Sequence, residues 1–198
     1  LKKFEEIKTL FNFDNNYLFY PAMLWAHKNH IYILKAISIL KKKHKKNVQV
    51  VFSGKDRNHK NYLVKKAIDL DIEENVKFIG LIDSKLMPYL YKNSFSLVMP
   101  TYFGPINIPP LEANFLGVPV IYNKDYCYTD NMIAPHLGIN IQDPNDLVEK
   151  YLKLMDEDFR KNLIKSGHEY TKLLEKKNKN FISSFEEYLR VYMNKIES

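Results

Sequence analysis

The chain has 198 residues, with 30 Lys+Arg against 23 Asp+Glu, a formal net charge of +7 and a 45% hydrophobic share. That length predicts one domain or one lobe of a larger protein, and the apolar content excludes a disordered chain. The single cysteine, Cys127, excludes an internal disulfide framework and a cysteine-built zinc site, and the longest apolar stretch, Tyr17–Ala26, is ten residues where a membrane span needs about 20.

With no initiator Met and no signal-peptide pattern, the chain reads as a cytosolic protein or, preferably, a piece of one. Residues 1–16 are mixed and mostly polar, and read as a linker or helix leading in from something upstream; the domain proper is expected over 17–198. Tyr17–Tyr20 is strand-like, and His27–Lys46 is helical with Ile33, Leu34, Ile37 and Leu40 on one face. Val48–Phe52 is a β-branched run ended by Ser53-Gly54. Asn58–Leu70 predicts a helix, Val76–Ile79 a strand ended by Gly80, and Ser84–Tyr91 a helix. Phe95–Met99 is a strand stopped by Pro100, Pro109–Leu116 a helix closed by Gly117, Val118–Tyr122 a strand and Gly138–Ile141 a weak one. Three helices follow, at Asp143–Met155, Glu157–Leu174 and Asn178–Ile196.

Apolar, unalternating strands that alternate with helices predict an α/β fold: a Rossmann-like, doubly wound parallel sheet with helices on both faces and a helical C-terminal tail. Ligands of such sheets bind beyond the carboxyl ends of the strands. The loops there hold Lys28, Lys55, Arg57, Gly104, Asn107 and Glu112 at or near their ends. No G-x-G-x-x-G and no P-loop motif occurs, which argues against dinucleotide oxidoreductases and ordinary NTPases.

The charge is uneven. Lys28–Lys66 contains twelve Lys+Arg and one acid, Asp56, a balance of +11, so the rest of the chain carries 7 − 11 = −4. Such a block suits phosphates, an anionic membrane surface or nucleic acid, and a solvated helix face explains it as well.

The chemistry concentrates in Met99–Ile121, where a buried strand runs into a Gly/Pro-rich loop and then a helix. Pro109 and Pro110 fit a first helical turn. The free N–H groups of Ile106, Asn107 and Ile108 and the positive end of the helix suit an anion such as a diphosphate. Glu112 offers a bidentate acceptor for the two hydroxyls of a ribose. Taken singly, each residue is more commonly structural: a first-turn acid, a loop glycine, a helix start.

Taken together, they resemble the C-terminal nucleotide-sugar-binding domain of GT-B retaining glycosyltransferases, family 4 (glycosyl transferases group 1). The family's E-G-F-G-L-P-x-L-E-A loop and G-x-P-V-I strand stand here as Gly104-Pro-Ile-Asn-Ile-Pro-Pro-Leu-Glu112-Ala113 and Gly117-Val-Pro-Val-Ile121. Val50-Val-Phe-Ser-Gly54, Val76-Lys-Phe-Ile-Gly80 and Leu86-Met-Pro-Tyr-Leu-Tyr91 resemble three further landmarks in order. Phe19–Lys28 occupies the place of the G-R-x5-K phosphate loop.

The resemblance implies that Lys28 neutralises the donor diphosphate and Glu112 holds the ribose. Gly104, Ile106, Asn107 and Ile108 would cradle phosphate and sugar, and Phe78, Ile79 and Leu86 would pack around the base. Two positions depart from the pattern: Gly104 replaces the first Glu of the E-x7-E pair, and Ala22 replaces the family arginine. Lys55 and Arg57, after the second strand, are candidates to supply the missing cation. The implied reaction is transfer of a sugar from a nucleotide-diphosphate sugar with retention, with no cofactor and no metal. The saccharide or lipid-linked acceptor would be held by an absent N-terminal lobe. The implied setting is bacterial surface polysaccharide synthesis in the cytoplasm, with peripheral contact at the inner membrane face as an option.

Other readings weigh less. Asp69-Leu-Asp71 and Asp156-Glu-Asp158 contain D-x-D, but each lies at a helix edge, where Asp is an ordinary cap. Trp25, Phe19, Tyr20, Tyr102 and Phe103 form either an aromatic wall beside the donor or part of the core. A sugar-nucleotide epimerase of the same two-lobed fold is the nearest alternative activity. A basic nucleic-acid-binding domain is the alternative class, disfavoured because Lys41–Lys46 has no interleaved aromatics.

Overall fold

A computed structural model describes residues 2–103, 108–126 and 136–196, with side chains through Lys179. Six strands form one parallel sheet: β1 (Tyr17–Pro21), β2 (Val50–Ser53), β3 (Val76–Gly80), β4 (Ser94–Met99), β5 (Val120–Asn123) and β6 (Leu137–Ile139). The order is β3-β2-β1-β4-β5-β6. The register pairs Tyr20 with Phe52 and Phe52 with Phe78 on one side of β1, and Phe19 with Leu97 on the other. Residues Tyr17–Tyr20 and Val50–Ser53 are buried throughout, because both faces of the central strands are covered.

Among the described residues seven α-helices accompany them: α1 (Lys2–Phe11), α2 (His30–His44), α3 (Lys60–Asp69), α4 (Met87–Lys92), α5 (Ile108–Phe115), α6 (Pro144–Lys153) and α7 (Glu157–Ile196). Alternation along β1 assigns the faces. Tyr17 donates its O–H to Leu90 O (2.6 Å) and Phe19 meets Tyr91 edge-on (5.0 Å), so the odd residues face α4. Tyr20 packs on His30 (4.9 Å), so the even residues face α2, and Ile33, Leu34, Ile37 and Leu40 are fully buried on that side. On the α4 side, α5 and α7 pack so closely that a Cβ on Gly167 would lie 2.5 Å from Asn114 Oδ1.

The differences from the sequence reading have local causes. The segment 1–16 carries α1, and Phe4 and Phe13 are buried in the core, with Phe4 stacked on Tyr89 (6.2 Å). The helix expected over His27–Lys46 is interrupted at Asn29, which is left-handed (φ 56°), a conformation Asn tolerates. A 3-10 turn, Ala26–Lys28, precedes the break and α2 follows it. Ser84–Tyr91 divides likewise into a 3-10 turn, Ser84–Leu86, and α4, whose second residue is Pro88; a proline lacking its N–H fits a first helical turn. The two helices expected over Glu157–Ile196 are one, for Glu175-Lys-Lys contains neither Gly nor Pro to stop it. Gly117, at φ 73°, closes α5 as expected, while β5 begins only after Pro119.

Candidate functional site

Strands β1 and β4 are neighbours, but the connections after them run to opposite edges of the sheet, through β2 on one side and β5 on the other. That reversal opens a crevice at their carboxyl ends. The loops around it are tied together. Tyr102 N–H donates to His27 O (2.9 Å), Thr101 Oγ1 donates to Phe103 O (2.8 Å), and Asn123 Nδ2 donates to Thr101 O (3.0 Å). On the other flank, Leu24 N–H donates to Lys55 O (3.0 Å) and Leu24 bridges Asp56 in parallel, carrying the β1–β2 pairing past the strand ends.

Lys28 closes the 3-10 turn at this edge. It is half-buried, and among the described residues no carboxylate pairs with it. Burial lowers its pKa, since a lysine short of water and of a counter-charge holds its proton less tightly. Its carbonyl accepts from Tyr20 Oη (3.0 Å), which fixes the turn from below. The neighbouring histidines add little charge. His27 is lowered by burial and then by Lys28, and His30, enclosed in the core, is pushed down to about 3, chiefly by burial. Beside Lys28, Asn29 Nδ2 is buried with no hydrogen-bond partner among the described residues.

A line of stacked planar groups runs along the rim. The Arg57 guanidinium lies 5.3 Å from the Trp25 ring, Trp25 stacks on His27 (6.0 Å), and His27 on Phe103 (4.4 Å, 16°). Of the five aromatics considered from the sequence, Trp25, Tyr102 and Phe103 are exposed here, whereas Phe19 and Tyr20 are core. Arg57 thus reaches the β1 loop. Lys55 is exposed, and its carbonyl accepts from Leu24 N–H of that loop.

Glu112 is exposed on the second turn of α5. Its Oε2 accepts a 2.6 Å hydrogen bond from Tyr91 Oη. Tyr91 is itself buried on Phe19, and its pKa is raised well above the usual phenol range by burial and then by the bond to Glu112 and its charge. The phenol therefore stays a donor and holds the carboxylate from behind. Ile108 begins α5 with its side chain exposed, while Gly104, Ile106 and Asn107 lie outside the described residues, as does Cys127.

At the β3 edge, Phe78 packs on Phe52 (5.4 Å) with Lys60 Nζ 5.8 Å from its ring centre. The Ile79 side chain is in the core, so only its backbone faces this edge; Leu86 is half-buried in its 3-10 turn. Gly54, in the loop after β2, donates its N–H to Gly80 O at the end of β3 (2.9 Å) and packs against the β1 loop. A Cβ on it would lie 2.2 Å from Ala22 O and 2.8 Å from Met23 N. Because both obstacles are backbone, Gly54→Ala is expected to cost about 1–3 kcal/mol of stability. A denaturant midpoint equal to that of the parent would refute this close fit.

The D-x-D acids serve helix ends. Asp71 pairs with Lys41 (3.1 Å), Asp69 with Lys66 (3.2 Å), and Asp156 caps α7 by accepting from Asp158 N and Phe159 N (both 3.0 Å). Among the described residues no three His, Cys, Asp or Glu gather as a metal-holding group, and no helix is long and apolar enough to cross a membrane. Tyr91, Thr101, Asn123 and Asn29 were not identified as site residues from sequence. Tyr91 stood within the Leu86–Tyr91 landmark, but nothing in its spacing of 21 residues from Glu112 announces a contact.

Comparisons with known proteins bear on the family and the fold. The profile of the family described as Glycosyl transferases group 1 matches residues 2–170. An uncharacterised glycosyltransferase of Methanocaldococcus jannaschii is 26% identical over 111 residues, 56% of this chain and 28% of that protein. The O-antigen chain mannosyltransferase B of Escherichia coli is 24% identical over 132 residues, 66% of this chain and 34% of that one. The chain thus spans about a third of the length of these relatives. Among solved structures, the C-terminal domain of a glycosyl transferase group 1 protein from Francisella tularensis superposes with a TM-score of 0.71 at 18% identity, covering 85% of this chain and 90% of that one. An Anabaena protein in complex with UDP and glucose gives 0.72 at 13%, covering 94% and 52%. The chain belongs to the glycosyl transferases group 1 family, and its doubly wound sheet is that of the GT-B glycosyltransferases.

Proposed function

We propose that this chain is the C-terminal, donor-binding domain of a retaining family 4 glycosyltransferase, and that its site holds a nucleotide-diphosphate sugar. The observation that carries the reading is the half-buried Lys28, without a counter-ion among the described residues, at the carboxyl edge of β1, across the β1/β4 crevice from the helix that bears Glu112. A buried cation gains most from a ligand that brings the missing negative charge, and the unpartnered Asn29 amide beside it adds a donor. Lys28 neutralises the diphosphate, with Arg57 as the auxiliary cation in place of the family arginine. Glu112 accepts from the ribose hydroxyls, and Gly104, Ile106, Asn107 and Ile108 line the phosphate and sugar. The β3 edge at Phe78, Ile79 and Leu86 receives the base.

In the reaction, the bond between the anomeric carbon and the diphosphate oxygen breaks while the acceptor oxygen bonds to that carbon from the same face, and the acceptor hydroxyl's proton passes to the departing diphosphate oxygen. Lys28 and the α5 backbone stabilise the charge growing on the leaving diphosphate, and fixed charges and dipoles do this without reorganising. The acceptor is held by an N-terminal lobe, and the cleft closes between lobes. The O-antigen chain mannosyltransferase relatives support a role in the assembly of surface polysaccharide, and we place that role in the cytoplasm.

A thermal-shift panel of UDP, GDP, ADP and their sugars tests the reading. A ligand at 100 times its Kd adds about 2.7 kcal/mol, several degrees in Tm for a domain of this size. At least one nucleoside diphosphate is expected to raise Tm, and the 198-residue chain alone is expected to transfer no sugar. No shift with any nucleotide, or turnover by this chain, counts against the assignment.

A further inference from the structure

Trp25, His27 and Phe103 form a row that the donor reading leaves without a task. His27 lies between two rings nearly parallel to its own, Trp25 (6.0 Å, 27°) and Phe103 (4.4 Å, 16°), and the Arg57 guanidinium stands over Trp25 (5.3 Å). Backbone bonds hold the row in place: Trp25 N–H donates to Met23 O (2.8 Å), Lys28 N–H to Trp25 O (3.0 Å) and Tyr102 N–H to His27 O (2.9 Å). Two of the rings nevertheless meet water, Trp25 at 41% exposure and Phe103 at 57%. A rigid, exposed apolar strip bordered by polar groups marks a ligand surface. Stacking covers the faces of the His27 imidazole and leaves its nitrogens at the ring edge. Neither has a hydrogen-bond partner among the described residues, nor does the indole N–H of Trp25. Burial and then Lys28 lower the His27 pKa, so at neutral pH the ring is uncharged, with one donor and one acceptor.

We infer that this row is a subsite for a neutral oligosaccharide, the acceptor of the transferred sugar, with ring C–H groups against Trp25 and Phe103 and hydroxyls on the His27 nitrogens and the Trp25 N–H. A pyranose is amphipathic in the same way as the row. It carries C–H groups on its faces and hydroxyls around its rim, each able to donate and to accept, and a neutral imidazole answers both where a cation only donates. A nucleobase needs an open ring face to lie on, and here the rings cover one another's faces. The row also crosses from the loop after β2, at Arg57, to the loop after β4, at Phe103. That is longer than one sugar ring, so it suits consecutive units of a chain and not the single hexose of a donor. Because His27 adjoins Lys28, a sugar on the row lies beside an anion held by Lys28 without taking its place. The acceptor is thereby gripped from both lobes. Only the word acceptor rests on the donor reading; saccharide binding by the row does not.

Trp25 is the chain's only tryptophan, so its fluorescence reports on the row alone. The test titrates the 198-residue chain with mannotriose, maltotriose and triacetylchitotriose, and with their monosaccharides, while acrylamide quenches Trp25. At least one trisaccharide is expected to shield Trp25, saturating in the millimolar range and at lower concentration than its monosaccharide. Phe103→Ala is expected to weaken that binding about three- to tenfold, the yield of one aromatic contact. His27→Phe keeps the stack and removes the nitrogens, and is expected to cost about fivefold, the worth of one hydrogen bond. Calorimetry with UDP and GDP on the same proteins separates the two readings. Saccharide shielding with no nucleotide binding would undo the donor reading and leave the subsite; nucleotide binding with no shielding by any trisaccharide would undo the subsite alone. Shielding by a nucleoside diphosphate equal to that by the trisaccharides, or parent-like saccharide binding in His27→Phe, would also overturn the proposal.

Discussion

Lys28→Ala is expected to lower affinity for nucleoside diphosphates by about ten- to a hundredfold while leaving the domain folded. The magnitude follows from deleting a charge-assisted contact to an anionic group, about 1.5–3 kcal/mol. That the fold survives follows from the sign of the pKa shift. Burial depresses the folded-state pKa, so between that value and the ordinary lysine pKa the unfolded chain holds the proton more tightly, and stability rises with pH across that window. Below the depressed value the charged Lys28 is a liability to the empty domain. Lys28→Met, which keeps the stem and drops the charge, is therefore expected not to lower the Tm of the unliganded protein, while removing most of the stabilisation by nucleotide. For the same reason nucleotide affinity should fall as pH rises through the lowered Lys28 pKa, earlier than for a fully solvated lysine, and Lys28→Met should show no such decline. Arg57→Ala, which removes a cation stacked on Trp25 at the rim, should cost less, about threefold to tenfold, the yield of a solvent-screened charge. Titration calorimetry separates these outcomes; wild-type affinity in Lys28→Ala would refute the role of this residue, and wild-type affinity in Arg57→Ala would refute compensation from the second loop.

The fold was legible because burial writes itself into the strands. Tyr17–Tyr20 and Val50–Phe52 are apolar without alternation, which only a doubly covered parallel strand requires, and Gly54, Gly80 and Gly117 marked element ends. What escaped was the breaking of helices by single residues. Asn29 in the left-handed region separates the Lys28 turn from α2, yet Asn within a helical pattern gives no warning of its φ. The burial of Phe4 and Phe13 escaped too: Phe4, Ile7 and Phe11 stand at the i, i+3, i+7 spacing of a helix face, but the polar residues around them outweighed that stripe. At the site, Lys28 and Glu112 were found through ordered motifs. Their supports were not, because Tyr91, Thr101 and Asn123 act across turns of 21 residues or more of chain, and only folding brings them together. Electrostatics reads the same way: the two histidines of Ala26–His30 stand in the sequence as potential cations, but burial keeps His30 neutral and lowers His27, so Lys28 dominates the charge of the turn.

Glu112→Ala is expected to produce the larger loss, about a hundredfold or more in affinity for the intact nucleotide, since it removes a carboxylate placed to accept from two ribose hydroxyls at about 1.5 kcal/mol or more each. The diagnostic is the sugar of the nucleotide. The parent should prefer a ribonucleoside diphosphate over its 2′-deoxy analogue by about tenfold, and Glu112→Ala should bind the two alike; a preference that survives would remove Glu112 from the ribose. Tyr91 extends the argument one layer inward. Its O–H, 2.6 Å from Oε2, restricts an otherwise exposed carboxylate to one orientation. Tyr91→Phe keeps the edge-on packing against Phe19 and removes only the hydrogen bond, so it should cost about fivefold in affinity, the net worth of one such bond. In the Glu112→Ala background the same change should cost nothing further, because the group it orients is gone. A purely structural tyrosine would behave differently, with Tyr91→Phe lowering stability and affinity by the same amount whether or not residue 112 carried a carboxylate. Non-additivity between the two positions is therefore the signature that the phenol serves the site through Glu112 and not through the core.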